Sequence, residues 1–218
     1  MSIWIKICGN TSLADTQMAV DAGADAVGFV FAPSPRRVTP EQVAAIVPFL
    51  PVSIEKVGVF VDADFAAIAA AVEQCGLTGV QLHSESTDER PAQLRQRFGA
   101  GLRILQVIHF GDDAARQLQA VSGDVNLDGV LVDSRTATAV GGTGIAFDWK
   151  AARAAIFTGQ GQLKLIAAGG LSPDNVAQAI ATLSPWGVDV VTGVESSPGR
   201  KDQAKVRAFV ANARAAAL

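Results

Sequence analysis

Residues 56–82 read KVGVFVDADFAAIAAAVEQCGLTGVQL, and this stretch decides the fold. It opens on Lys56 to Val61, a β-branched run that is apolar almost throughout rather than alternating, the pattern of a strand buried on both faces. An Ala-rich amphipathic stretch follows from Asp64 to Gln74 and stops at Gly76, where a helix would place its C′ glycine. Gly79 to Leu82 then begins a second apolar run. Strand, helix, strand within so short a span is one βα unit and the start of the next.

The same unit recurs along the chain. Apolar runs stand at Ile3 to Ile7, Ala26 to Phe31, Lys56 to Val61, Gly79 to Leu82, Arg103 to Ile108, Gly129 to Val132, Lys164 to Ala167 and Val188 to Val191. Helical stretches separate them at Ser12 to Ala22, Pro40 to Phe49, Asp64 to Gln74, Asp88 to Phe98, Asp112 to Val121, Asp148 to Phe157, Pro173 to Thr182 and Asp202 to Ala216. Thr39-Pro40-Glu41 and Ser172-Pro173-Asp174 look like helix starts, a capping residue before a first-turn proline. Alternation without a break predicts a parallel sheet, and eight units are the number that closes a barrel. The expected fold is therefore α/β, a single (β/α)8 TIM barrel with short loops over residues 1–218. An open doubly wound sheet is the alternative, because strand order is not written in the sequence.

Composition narrows the function classes. The 218 residues carry 18 basic and 21 acidic side chains, a net charge of -3, and are 49% hydrophobic. That balance suits a folded chain with a large core and lacks the basic footprint of a nucleic-acid binder. No apolar run is long enough to span a membrane and the N-terminus has no secretory pattern, so a cytoplasmic location is expected. Two cysteines, Cys8 and Cys75, are too few for a disulfide framework, and the barrel would place them at opposite ends.

A barrel of this kind does its chemistry at the C-terminal ends of its strands. Cys8 ends the first strand, Arg36 and Arg37 follow the second, and His83, His109 and Asp133 end the fourth, fifth and sixth. Three glycine-rich clusters stand on the last loops: Gly141-Gly142-Thr143-Gly144, Gly169-Gly170 and Ser196-Ser197-Pro198-Gly199. Glycines let backbone N–H groups approach an anion, so adjacent clusters point to a phosphate site. No zinc-type ligand spacing, nucleophile elbow, Walker loop or dinucleotide fingerprint is present.

Those residues carry a resemblance. Lys-Ile-Cys-Gly at 6–9, Gly-Ala-Asp-Ala-Val-Gly-Phe-Val-Phe at 23–31, Ser-Pro-Arg at 34–36, Val-Gly-Val-Phe-Val at 57–61 and Val-Gln-Leu-His at 80–83 open the match. Gly-Gly-Thr-Gly at 141–144 with Phe147-Asp148-Trp149, Ala-Gly-Gly-Leu at 168–171 and Gly-Val-Glu-Ser-Ser-Pro-Gly at 193–199 complete it. In this order they resemble the phosphoribosylanthranilate isomerases of tryptophan biosynthesis, over almost the whole chain. The resemblance implies an aldose–ketose isomerase that performs an Amadori rearrangement on a small phosphosugar, without cofactor or metal and without nucleic-acid or membrane partners, as a monomer or homodimer.

By the same resemblance Cys8 is the general base and Asp133 the general acid. Arg36 would hold the anthranilate carboxylate, for which a planar fork is suited. Gly142, Gly144, Gly169, Gly170, Ser196 and Ser197 would hold the phosphate, and Asp189 would support the site. A thiol must ionise to act as a base, and Lys6, on the same strand face, is expected to favour the thiolate. His83 reads as a hydrogen-bonded structural histidine, and His109 has no assigned role. Asn10, Ser84 and Val191-Thr192 depart from the family pattern. Two rivals are an indole-glycerol-phosphate synthase, whose chemistry relies on strand-end lysines, and a non-catalytic phosphate-ligand binder. An isomerase of the analogous histidine-pathway substrate, which carries two phosphates, shares the chemistry.

Overall fold

The computed structural model describes residues 3–83, 89–133, 148–157 and 163–217. Eight strands run in parallel: β1 (Trp4–Ile7), β2 (Ala26–Val30), β3 (Glu55–Val61), β4 (Gly79–His83), β5 (Arg103–His109), β6 (Gly129–Asp133), β7 (Lys164–Ala167) and β8 (Gly187–Val190). Each pairs with its sequence neighbour, and β8 pairs back onto β1, with Lys6 opposite Asp189, so the sheet closes. Closure excludes the open doubly wound alternative.

The strands alternate with helices α1 (Leu13–Asp21), α2 (Pro40–Ile46), α3 (Phe65–Cys75), α4 (Arg90–Phe98), α5 (Ala114–Val121), α6 (Trp149–Ala155), α7 (Val176–Leu183) and α8 (Gln203–Ala216). Their starts are chemically explicit. Ser12, Asp64, Asp148 and Asp202 cap α1, α3, α6 and α8 by accepting first-turn amides, and Thr39 forms a reciprocal capping box with Gln42 before Pro40. The start at Ser172-Pro173 is displaced. Here α7 begins at Val176, because Asn175 accepts from the Ser172 amide and donates to the Gly170 carbonyl, which holds the preceding residues in a turn.

Apolar side chains fill two regions. A large shell of buried residues lies between strands and helices, and a smaller cluster with Trp4, Val57, Leu105, Leu131 and Ile166 fills the barrel interior. The N-terminal end of the barrel is plugged by Trp4 stacked on Trp186 at 5.3 Å, with the Arg103 guanidinium over both rings. Above this apolar floor the inward side chains turn polar: Lys6, Gln81, Asp133 and Asp189 are all buried. Buried polar groups cost stability unless paired, so their concentration at the C-terminal end marks that mouth as the place of chemistry. The chain after β8 adds a 3-10 turn at Thr192–Val194 and a two-stranded hairpin, β9 (Glu195–Ser197) with β10 (Arg200–Lys201), which folds back over the mouth. Among the described residues no helix is long and apolar enough to cross a membrane.

Candidate active site

Cys8 follows β1 directly and is 3% exposed, while Asp133 ends β6 and is 2% exposed. Both therefore sit in the mouth, away from bulk water. Cys8 fits only because residue 28 on the neighbouring strand is glycine: a Cβ there would overlap the Cys8 Sγ. Cys75, at the end of α3, is also free and buried, so the two cysteines stay unpaired as expected.

Lys6 is fully buried, and its Nζ donates to Asp189 Oδ1 and to Gln81 Oε1, each at 2.8 Å. The bond from Lys6 fixes the Gln81 amide, whose Nε2 stands 3.1 Å from His83 Nε2. An amide nitrogen can only donate, so in this contact the imidazole nitrogen is the acceptor. Asp189, Lys6, Gln81 and His83 thus form one polar chain across the floor of the site. Burial works against the Lys6 ammonium, but Asp189 and Cys8 outweigh it and raise its pKa above the ordinary lysine value. Lys6 is a fixed charge with an internal counter-ion, not a free strand-end lysine of the kind the synthase rival needs.

The electrostatics of Cys8 bear out the pull of Lys6 and show it outweighed. Burial pushes the Cys8 thiol up, Lys6 and Lys201 pull it down, and Asp189 adds to the upward push; the net result is a raised pKa. Lys6 does favour the thiolate, but its charge is matched by Asp189, so desolvation wins and Cys8 holds its proton.

Arg36 is placed where the sequence puts it, over Gly9, whose absent side chain leaves room for the arginine stem. Its fork is already engaged. Nε and Nη2 donate to Glu195 Oε1 and Oε2 at 2.8 and 2.7 Å. Burial pushes the Glu195 carboxyl up, but Arg36 and Lys201 more than reverse this and hold it below the usual carboxylate range. Lys201 Nζ donates to the Cys8 carbonyl at 2.5 Å and to Glu195 Oε1 at 3.4 Å. Neither Glu195 nor Lys201 was singled out by sequence reasoning. Glu195 lies inside the Gly-Val-Glu-Ser-Ser-Pro-Gly motif, which was the one available signal; Lys201 has none.

Of the expected phosphate residues, Gly142 and Gly144 lie outside the described residues, as does Ser84. Gly169 and Gly170 have φ of 79° and 65°, left-handed backbone that favours glycine, immediately after β7. The 3-10 turn after β8 packs against the same loop so closely that a Cβ on Gly193 would collide with the Leu171 carbonyl. Two of the three glycine-rich loops are therefore in contact. Ser196 and Ser197 are exposed on the hairpin, and the Ser196 hydroxyl donates to the Arg200 carbonyl, so its bond stays within the hairpin. Asn10, the departure in the first loop, is fully buried and donates through Nδ2 to the Ile7 and Gly28 carbonyls, bracing the turn below Cys8. His109 stands opposite Asp133 in the β5–β6 register, with its ring centroid 6.2 Å from that of His83.

Comparison with known proteins shows the family. The profile of the N-(5'phosphoribosyl)anthranilate (PRA) isomerase family matches residues 5–212. The chain belongs to that family. A curated relative, the N-(5'-phosphoribosyl)anthranilate isomerase of Geobacter sp. (strain M21), is 44% identical over 211 residues, covering 96% of this chain and 97% of the relative. The crystal structure of phosphoribosyl anthranilate isomerase from Thermotoga maritima superposes with a TM-score of 0.83 at 34% identity, over 98% of this chain and 99% of that one. A crystal structure of phosphoribosyl anthranilate isomerase in complex with reduced 1-(o-carboxyphenylamino)-1-deoxyribulose 5-phosphate gives 0.79 at 32% identity, over 98% and 99% of the two chains. Among the described residues no cluster of histidine, cysteine, aspartate or glutamate could hold a metal ion.

Proposed function

We propose that the mouth of this barrel converts N-(5'-phosphoribosyl)anthranilate to 1-(2-carboxyphenylamino)-1-deoxyribulose 5-phosphate, with Asp133 as the acid and Cys8 as the base. The observation that supports the assignment best is a buried thiol and a buried carboxyl on separate strands, Cys8 after β1 and Asp133 at the end of β6, in a chain that the family profile spans. Asp133 protonates the furanose ring oxygen as the C1–O bond breaks, which leaves an iminium at C1. The Cys8 thiolate then removes the C2 proton, the C–H electron pair forms the C1–C2 double bond of an enolamine, and the iminium nitrogen takes up the displaced pair. Proton gain at C1 and loss from the C2 hydroxyl yield the ketose. Hydrogen moves within one molecule, so the net change needs no external oxidant or reductant.

Order follows from electrostatics. Cys8 starts protonated, and the positive charge created by ring opening lowers the cost of its ionisation, so that the thiol releases its proton to solvent before it acts as base. Acid therefore acts before base. Lys6 and Lys201 supply the standing positive potential, and Asp189 holds Lys6 in place. The phosphate binds to the glycine-rich loops through Gly142, Gly144, Gly169 and Gly170, with Ser196 and Ser197 on the hairpin beside them. The carboxylate binds Arg36. We place the chain in the cytoplasm, acting on this small phosphosugar as a monomer or homodimer.

A reaction in deuterated water tests the reading. The wild-type chain should abolish the fluorescence of freshly made phosphoribosylanthranilate, and the ketose should carry deuterium at C1 from the solvent-exchanged proton. A folded chain that binds the substrate without turnover would favour the binding-protein rival.

A further inference from the structure

The hairpin that follows β8 carries two buried charged side chains, Glu195 and Lys201, and fastens three separate parts of the mouth. Lys201 Nζ holds the Cys8 carbonyl, the Lys201 amide donates to Asp15 Oδ1 on α1 at 3.0 Å, and the Thr11 hydroxyl donates to the Gly199 carbonyl at 2.7 Å. Glu195 grips Arg36 through Nε and Nη2, and its Oε1 also accepts from the Gly199 amide at 3.3 Å. A guanidinium has five N–H donors in two forks. The side-on fork, Nε with Nη2, is taken by Glu195; the end-on fork, Nη1 with the second Nη2 hydrogen, has no partner among the described residues.

From this we propose that Glu195 is a positioning residue that makes Arg36 a selective receptor for the substrate's aromatic carboxylate. An arginine free to turn could offer either fork in many orientations and would lose side-chain entropy on binding. Held by Glu195 and packed over Gly9, the Arg36 plane is fixed before substrate arrives, and only the end-on fork remains to meet a carboxylate in bidentate geometry. Lys201 matters to the same arrangement, because it keeps the Glu195 carboxylate from facing Arg36 as its single cation. The inference rests on the isomerase reading, since it takes the anthranilate carboxylate as the group that Arg36 receives.

The test compares two probes by calorimetric titration: reduced 1-(o-carboxyphenylamino)-1-deoxyribulose 5-phosphate and the same compound built on aniline, which lacks the carboxyl. In wild type the carboxylated probe should bind more tightly. Glu195→Gln should reduce that preference by roughly tenfold or more, as expected for loss of a charge-assisted hydrogen bond that orients a fork, with affinity for the aniline probe unchanged. In an Arg36→Met background Glu195→Gln should add no further loss of preference. Should Glu195→Gln fold poorly, Glu195→Asp, which retracts the carboxylate by one methylene, should give an intermediate preference. Equal weakening of both probes, or an undiminished preference, overturns the inference. A wild-type chain that turns over phosphoribosylanthranilate yet binds both probes equally overturns it while leaving the function standing. A wild-type chain inert toward phosphoribosylanthranilate overturns the function and the inference together.

Discussion

Cys8 sits between opposing influences: burial and Asp189 hold its proton on, and the Lys6 and Lys201 ammonium groups draw it off. A raised thiol pKa means that the reactive thiolate appears only as pH climbs beyond the ordinary thiol range, so alkylation of Cys8 by iodoacetamide should titrate with a midpoint above that of a free cysteine. Lys6→Met should move the midpoint higher still; a midpoint at or below the free-thiol value, or no movement in the variant, contradicts the account. The same variant removes one partner of a buried ion pair, and breaking such a pair costs about 3–5 kcal/mol. Thermal unfolding should register the loss, and Lys6→Met with Asp189→Asn should recover part of it. Cys8, Lys6 and Asp133 were legible in the sequence because each stands at or beside a strand end. Gln81 was not, because its role depends on reaching across the barrel to Lys6, a pairing that no local spacing records.

At the scale of elements, the strand–helix alternation was readable, most boundaries within two or three residues, because β-branched runs and capping aspartates are local chemistry. What escaped was contact between elements. The hairpin after β8 reaches back to Cys8, Asp15 and Arg36 across most of the chain, and only the folded barrel brings those residues together. Glycine at 28 likewise looked like an ordinary strand residue; its meaning is the space it leaves for the Cys8 sulfur. Gly28→Ala should therefore displace Cys8 and lower kcat by about tenfold or more, a shift of roughly 1.4 kcal/mol in the barrier, with a smaller effect on KM. A steady-state assay that finds kcat unchanged would remove Gly28 from the account. Gly193→Ala should instead raise KM, because the Leu171 carbonyl cannot yield to a new Cβ without shifting the β7 loop.

The whole molecule offers its substrate little long-range help. A net charge of -3 repels an anionic phosphosugar weakly, so on the proposed reading capture rests on short-range devices: Arg36, loop amides and the buried lysines. Exposed charges more than about 10 Å apart are screened at 0.1 M salt, so kcat/KM should vary by only about twofold between low and moderate ionic strength. A steep fall with salt would reveal a steering field that the composition does not suggest. Inside the closed barrel apolar side chains gather toward one end and the buried Lys6–Asp189 pair stands toward the other, and that division lets the chain hold a thiol and a carboxyl out of water.

The central claim is that Cys8 and Asp133 divide the base and acid work. The direct measurement is the fluorescence decay of phosphoribosylanthranilate with wild type, Cys8→Ser and Asp133→Asn, each checked for an unchanged melting temperature. Both variants should lose several orders of magnitude in kcat while remaining folded. Near-full activity in both would contradict the account.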